Sequence, residues 1–99
     1  MAAQGAFKEK TSVRIKEPRR YKVVMYNDDF TPMDFVVEIL VTIFNKQEME
    51  AVEVMYTVHE KGSASVGTYP FDIANTKVMK ATQLARQSGY PFRLRTEEA

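Results

Sequence analysis

Asn27, Asp28 and Asp29 stand between an apolar segment and a segment whose apolar residues recur at helical spacing. A turn between two such elements requires about one residue of this kind, so three of them indicate a binding site. An ionised carboxylate accepts hydrogen bonds and donates none, and the site would therefore suit a cation. His59, the single histidine of the chain, directly follows Val58 in a second helical pattern and is a further candidate for this site.

Each of these features also has a simpler structural explanation. Adjacent aspartates are typical of a solvated turn, and a single histidine at a helix end is commonly a capping or surface residue. A metal site formed by Asp28, Asp29 and His59 is conceivable, but no close-spaced ligand motif accompanies these residues. A hydrolase needs a nucleophile, a base and an oxyanion hole, yet Ser63 and Ser65 lie near His59 without a Gly-x-Ser-x-Gly motif. Composition and spacing alone therefore indicate a small binding module.

The apolar pattern predicts three strands and three helices in the order β-α-α-β-α-β. Strands are indicated by segments rich in β-branched and aromatic residues, and helices by apolar residues three and four positions apart. Such a chain forms an α+β domain in which an antiparallel or mixed three-stranded sheet is covered by helices. The predicted strands are 21–26, 63–69 and 92–95, and the predicted helices run from about 32 to 45, 47 to 61 and 72 to 88.

The ends of these helices also have recognisable residues. Thr31 is predicted to be the N-cap of the first helix, with Pro32 at its first position and Asp34 as the capping-box partner. Gly62 suits the left-handed position after the second helix. Asp72 is predicted to be the N-cap of the third helix.

If the first two helices pack as a hairpin on the sheet, the acidic turn and the C-terminal end of the second helix lie at the same end of the domain. Asn27, Asp28 and His59 would then converge. A polar rim over an apolar interior suits a ligand with an ammonium group beside a hydrophobic side chain, such as a free protein N-terminus. Apolar residues expected nearby are Met33, Val36, Ile39, Met55 and Val58.

Composition narrows the remaining possibilities. The chain has 99 residues, enough for one domain with a modest core. It has no cysteine, which excludes disulfides and thiolate zinc sites and makes the cytoplasm the expected compartment. No apolar run approaches the roughly 18 residues that a membrane span needs.

The charges are distributed unevenly along the chain. Residues 1–20 contain six basic and two acidic residues, a net charge of +4, whereas residues 21–99 contain eight basic and eleven acidic residues, a net charge of −3. We interpret residues 1–20 as a flexible basic extension and residues 21–99 as the folded domain. Nucleic-acid binding would require aromatic residues among the basic ones, and Phe7 is the only aromatic residue in the extension.

One segment carries a specific family resemblance. The run Tyr-Asn-Asp-Asp-Phe-Thr-Pro-Met at residues 26–33, with its flanking valines, resembles the signature of ClpS, the adaptor of the bacterial Clp protease. The similarity continues at residues 55–62, at Thr76 and Lys77, and at residues 91–94, so it spans about residues 21–97. The fold that it implies is an α/β sandwich like the C-terminal domain of the ribosomal stalk protein, in agreement with the predicted element order.

The resemblance implies an adaptor and not an enzyme. ClpS-type proteins bind N-degrons, which are substrate N-termini that begin with Leu, Phe, Tyr or Trp. They deliver these substrates to the AAA+ unfoldase ClpA or ClpC, which feeds the ClpP peptidase. The resemblance further implies a monomer without cofactor or metal that binds neither nucleic acid nor membranes, and a delivery role for the N-terminal extension. The alternative is a ClpS-like binding module specialised for other N-termini or ligands.

Residue by residue, the resemblance assigns three roles. Two positions depart from the family pattern. Phe92 stands where the family often has Leu, and Asp72 stands where the family more usually has Glu. Met33 matches the gatekeeper that disfavours β-branched N-terminal residues. The implied α-amine ligands are Asn27, Asp28 and His59; the implied pocket residues are Thr31, Met33, Val36, Ile39, Met55, Val58 and Phe92; and the implied unfoldase-docking residues are Asp72 and Lys77.

Overall fold

The computed structural model describes residues 19–99 as one layer of sheet covered by helices. The predicted extension, residues 1–20, lies outside the described residues except for Arg19 and for Arg20, which is the first residue of a strand. The predicted order β-α-α-β-α-β is confirmed. The elements are β1 (Arg20–Tyr26), α1 (Met33–Thr42), α2 (Glu48–Lys61), β2 (Ser63–Pro70), α3 (Phe71–Gln87) and β3 (Arg93–Glu98).

The sheet is antiparallel, with β1 between β2 and β3. β1 is the most apolar strand, which explains its central position. Val23 and Met25 are fully buried in the core, whereas Val24 points to the opposite face of the sheet and lies outside the core cluster. β3 continues from Arg93 to Glu98, beyond its predicted end at Arg95, because its ladder with β1 extends as far as Tyr21 opposite Glu98.

The helices close the core on one face of the sheet. α3 contacts all three strands, and its buried stripe consists of alanines at positions 74, 81 and 85, whose small side chains let the helix approach the sheet closely. α2 packs on α1 and on β2. The core cluster consists of Val23, Met25, Val36, Ile39, Leu40, Phe44, Ala51, Met55, Val58, Val66, Ala74, Ala81, Ala85, Phe92 and Leu94.

The predicted start of α1 is wrong by one residue. Pro32 occupies the N-cap position and its carbonyl accepts from the Val36 N–H at 3.2 Å, so Asp34 is the second helical residue instead of the third. Thr31 does not cap the helix, because its hydroxyl donates to the Asp28 carboxylate at 2.8 Å. The acidic side chain of Asp34 still lies in the first turn, where its negative charge stabilises the helix by interacting with the positive end of the helix dipole.

The other predicted helix ends are confirmed at one site and wrong at two. Gly62 ends α2 with φ of 89°. α1 ends at Thr42 and not at Asn45, which adopts a left-handed φ of 57° in the connecting turn. Asp72 is not the N-cap of α3, since Pro70 takes that position and places Asp72 in the first turn.

Candidate functional site

The turn between β1 and α1 is built around the carboxylate of Asp28. Its Oδ1 accepts hydrogen bonds from the main-chain N–H of Phe30 at 2.8 Å and of Thr31 at 2.7 Å. Its Oδ2 accepts from the Thr31 hydroxyl at 2.8 Å. A carboxylate has about four lone-pair positions, so one position on Oδ2 is left for a ligand.

The same contacts set the charge of Asp28. Partial burial by itself would raise the pKa of this carboxyl, but hydrogen bonds from the Thr31 N–H, the Phe30 N–H and the Thr31 hydroxyl outweigh that effect. Together with the positive charge of Arg86 they lower the pKa below its ordinary value of 3.8. Asp28 is therefore an anion at neutral pH, fixed in one orientation.

The turn is tied to the C-terminal end of α2. The main-chain N–H of Asn27 donates to the carbonyl of Gly62 at 2.9 Å. Gly62 in turn closes α2 by donating to the Val58 carbonyl at 2.9 Å. His59 lies next to this closure, so Asn27, Asp28 and His59 lie around one end of the domain, as predicted.

These elements enclose a cavity of about 350 Å³. Its rim is polar and includes the exposed residues Asn27 and His59, while its inner wall is apolar and buried. Nine of the ten predicted ligand-binding residues line the cavity, namely Asn27, Asp28, Thr31, Met33, Val36, Met55, Val58, His59 and Phe92.

Ile39 is the predicted pocket residue that does not line this cavity. Its side chain is 1% exposed and belongs to the core cluster. Ile39 was expected to line the pocket, and the sequence alone does not distinguish a pocket wall from the core.

The apolar wall is fixed by contacts among α1, α3 and the loop before β3. Phe92 is 1% exposed, and its ring meets that of Phe35 edge to face with centroids 6.4 Å apart. Arg86 holds the loop before β3, because its Nη1 donates to the carbonyls of Tyr90 and Phe92, both at 2.8 Å. Arg86 thus positions the pocket wall and also contributes to the low pKa of Asp28.

Four lining residues were assigned no role in ligand binding, although Asp29 belongs to the polar turn that first indicated a site. They are Tyr26, Asp29, Phe30 and Pro32, all in β1 or in the turn that follows it. Tyr26 is covered by the Arg93 guanidinium, 4.9 Å from its ring centroid. The signal that could have indicated these residues is continuity along the chain, since a turn that supplies Asn27 and Asp28 also brings its neighbours to the cavity.

The arrangement can bind a small cation that is covalently attached to an apolar group. Asp28 supplies a fixed negative charge, Asn27 has an amide oxygen that accepts hydrogen bonds, and His59 has ring nitrogens at the rim. The buried wall accepts an apolar side chain. Among residues 19–99 no group of three or more histidine and acidic side chains is placed to hold a metal ion.

The two predicted docking residues lie together on a different surface. Asp72 and Lys77 line a depression formed by α3 and the end of α1. The Lys77 amino group is also engaged within the chain, since it donates to the Ile43 carbonyl at 2.6 Å and lies 5.8 Å from the Phe44 ring centroid and 5.4 Å from that of Tyr69.

Within the described residues, no helix is long and apolar enough to cross a membrane.

Comparison with known proteins agrees with this fold. The chain is similar to a solved structure of Agrobacterium tumefaciens ClpS2 bound to L-phenylalaninamide, with a TM-score of 0.81 and 41% sequence identity. The similarity covers 84% of this chain and 100% of that chain.

Sequence relatives cover nearly the whole chain. The ATP-dependent Clp protease adapter protein ClpS of Shewanella pealeana is 48% identical over 91 residues, which are 92% of this chain and 89% of the relative. The ClpS of Wolinella succinogenes is 46% identical over 101 residues, with 99% of each chain covered.

The family assignment rests on these relatives and on a family model. The model described as ATP-dependent Clp protease adaptor protein ClpS matches residues 16–95. This family consists of adaptors and not of enzymes, in line with the expectation from the sequence. The chain belongs to the ClpS family of ATP-dependent Clp protease adaptor proteins.

Proposed function

We propose that this adaptor binds the free N-termini of substrate proteins that begin with Leu, Phe, Tyr or Trp, and delivers these proteins to the unfoldase of a Clp protease. The observation that carries the proposal is the position of Asp28. Its carboxylate is held at the rim of a cavity whose inner wall is buried and apolar.

The α-amino group of the substrate binds at the polar rim. Asp28 contributes the negative charge through the free position on Oδ2, while Asn27 and His59 each accept one hydrogen bond. A hydrogen bond to a charged group contributes roughly 1.5–3 kcal/mol. Because three acceptors surround one ammonium group, its three N–H donors are all satisfied.

The side chain of the first residue fills the cavity. Burial of a Leu or Phe side chain contributes roughly 1.5–3 kcal/mol. Micromolar affinity corresponds to about −8 kcal/mol, and neither this term nor the ammonium contacts alone reach it once the cost of association is subtracted. The residues proposed to contact the side chain are Thr31, Met33, Val36, Met55, Val58 and Phe92.

The solved relative supports this ligand class. The ClpS2 protein of Agrobacterium tumefaciens was solved with L-phenylalaninamide bound. That molecule has a free α-amino group and a benzyl side chain, and its amide replaces the rest of a polypeptide. It therefore presents the chemistry that the rim and the wall of this cavity accept.

Delivery requires a second surface. Asp72 and Lys77 are proposed to dock on the N-terminal domain of ClpA or ClpC. The unfoldase then unfolds the substrate and feeds it to the ClpP peptidase. Their place on α3 leaves the proposed substrate cavity free, because neither residue lines it. We propose that the adaptor acts as a monomer in the cytoplasm, without a cofactor.

An alternative within the same family is a preference for other N-termini. Phe92 occupies a wall position where the family often has Leu, and a larger ring there alters the shape of the pocket. This alternative keeps the amine site and the docking surface but predicts a different order of preference among first residues.

The test is fluorescence anisotropy with peptides that differ only at their first residue or in acetylation. We expect micromolar binding for Leu, Phe, Tyr and Trp, and no binding for Ala, for Ile, or for an acetylated Leu peptide, because acetylation removes the charge and two donors. Equal affinity for acetylated and free Leu peptides would rule out the amine site. Binding restricted to other free N-termini would favour the alternative.

A further inference from the structure

An aromatic ring at the mouth of the cavity has no role in the function proposed above. Phe30 lines the cavity, yet its side chain is 78% exposed. Folding has therefore left this ring in solvent, although other aromatic residues such as Phe92 are buried. Aromatic side chains, Phe included, are enriched where proteins bind their partners, so a ring at the rim of a binding cavity is a candidate contact for a bound chain.

The ring stands on a rigid piece of main chain. The N–H of Phe30 and that of Thr31 both donate to Asp28 Oδ1, at 2.8 Å and 2.7 Å. The carboxylate proposed to bind the substrate amine therefore also fixes the main chain that bears the ring. A contact that is ordered before binding costs less conformational entropy when the ligand arrives.

The direction of the bound chain follows from burial, given the proposed function. With the first side chain against the buried wall and its amine at Asp28, the rest of the substrate leaves through the exposed rim. Met33 is proposed to contact the first residue of the substrate. Phe30 is therefore the exposed apolar lining residue to which the proposed function assigns no contact with the ligand. The exposed lining residues are Asn27, Asp29, Phe30, Met33 and His59.

We propose that Phe30 contacts the side chain of the second residue of the bound N-terminus, and that it favours apolar and above all aromatic side chains at that position. This inference rests on the proposed function. It adds a second subsite, so that the first two residues of a substrate together determine its affinity. Specificity at the first residue is left to the buried wall and to Met33.

The experiment compares peptides that begin with Leu-Phe, Leu-Leu and Leu-Ala and are otherwise identical. We expect the Leu-Phe peptide to bind about threefold to tenfold more tightly than the Leu-Ala peptide, the range that one aromatic contact supports. In Phe30→Ala this ratio falls to about one, while the affinity for Leu-Ala changes less than about twofold. Phe30→Tyr retains the ratio because it retains the ring.

Met49→Ala is the matched control, since Met49 is 81% exposed on α2 and does not line the cavity. It should leave both affinities unchanged. Equal wild-type affinities for Leu-Phe and Leu-Ala, or an unchanged ratio in Phe30→Ala, would overturn the second subsite while leaving the proposed function intact. An equal loss for all peptides in Phe30→Ala would also overturn it. If the wild type binds none of the Leu peptides, the proposed function itself is overturned.

Discussion

Asn27 donates its main-chain N–H to the carbonyl of Gly62 at 2.9 Å, which joins the end of β1 to the end of α2. Gly62 adopts a φ of 89°, and its N–H donates to Val58. The two sides of the cavity are thereby connected through main-chain atoms. This connection fixes where Asp28 and His59 lie relative to each other.

Gly62→Ala should therefore affect both stability and binding. A Cβ at position 62 meets no heavy atom within 4 Å, so the cost comes from the left-handed φ. We expect a loss of about 1–2 kcal/mol in the free energy of unfolding, measured by urea denaturation, and a several-fold weaker affinity for a Leu peptide.

Gly89→Ala is the matched control for that variant. Gly89 has a φ of 80° with equally open surroundings, but its N–H donates to the Arg86 carbonyl at the end of α3 and it accepts no hydrogen bond from the turn that bears Asp28. It should lose about the same stability and keep its peptide affinity. Equal affinities in the two variants would show that the Gly62 connection does not position the site.

The carboxylate of Asp28 has a structural and a binding role that two substitutions separate. Asp28→Asn keeps an oxygen that can accept from the turn but removes the charge, so we expect a modest loss of stability and at least a tenfold loss of peptide affinity. Asp28→Ala removes all three hydrogen bonds and should also cost about 1–3 kcal/mol of stability. Anisotropy and urea denaturation measure the two effects. Full affinity in Asp28→Asn would contradict the role of the charge.

The lowered pKa of Asp28 gives stability a defined pH dependence. The folded state prefers the ionised carboxylate, so its contribution is complete above the unfolded value of 3.8 and is lost as the pH falls through the lower folded value. We expect the stability difference between wild type and Asp28→Ala to be constant near neutrality and to shrink as the pH falls below 3.8. A difference that grows on acidification would contradict this direction of shift.

The sequence placed candidate binding residues in this turn but did not predict the contacts within it. The excess of polar residues over what a turn requires indicated a site at Asn27 and Asp28. The sequence favoured Thr31 as a helix cap because caps are usual at that position. Its hydroxyl instead donates to Asp28, and such a choice between two nearby acceptors depends on three-dimensional geometry.

Burial was predicted more reliably than the face on which a buried residue lies. Of the five apolar residues expected near the ligand, Val36, Ile39, Met55 and Val58 are buried and Met33 is 42% exposed. Only the packing of α1 against α2 and the loop before β3 decides that Val36 lines the cavity and Ile39 does not. That packing depends on contacts between residues far apart in sequence, such as the edge-to-face contact between the rings of Phe35 and Phe92.

Met33 should control the acceptance of β-branched first residues. It lines the cavity and is 42% exposed, so truncation widens the rim without opening the core. We expect Met33→Ala to bind Ile and Val peptides that the wild type rejects, and to bind Leu peptides slightly more weakly. Anisotropy with Leu, Ile and Val peptides measures this, and unchanged discrimination would refute the gatekeeper role. Met49→Ala should retain the wild-type discrimination.

Lys77 combines a structural contact with a proposed docking role, and stability separates the two. Lys77→Ala removes the hydrogen bond to the Ile43 carbonyl and should lower the free energy of unfolding by about 1–2 kcal/mol. Asp72→Ala should lower it by less than about 1 kcal/mol, since it removes only a favourable charge from the first turn of α3. Both variants should bind the N-terminal domain of ClpA or ClpC more weakly than the wild type does. Their affinity for a Leu peptide should equal that of the wild type. Urea denaturation and anisotropy measure these effects. Unchanged unfoldase binding in Asp72→Ala would place the docking surface elsewhere, and wild-type stability in Lys77→Ala would show that the Ile43 contact contributes little.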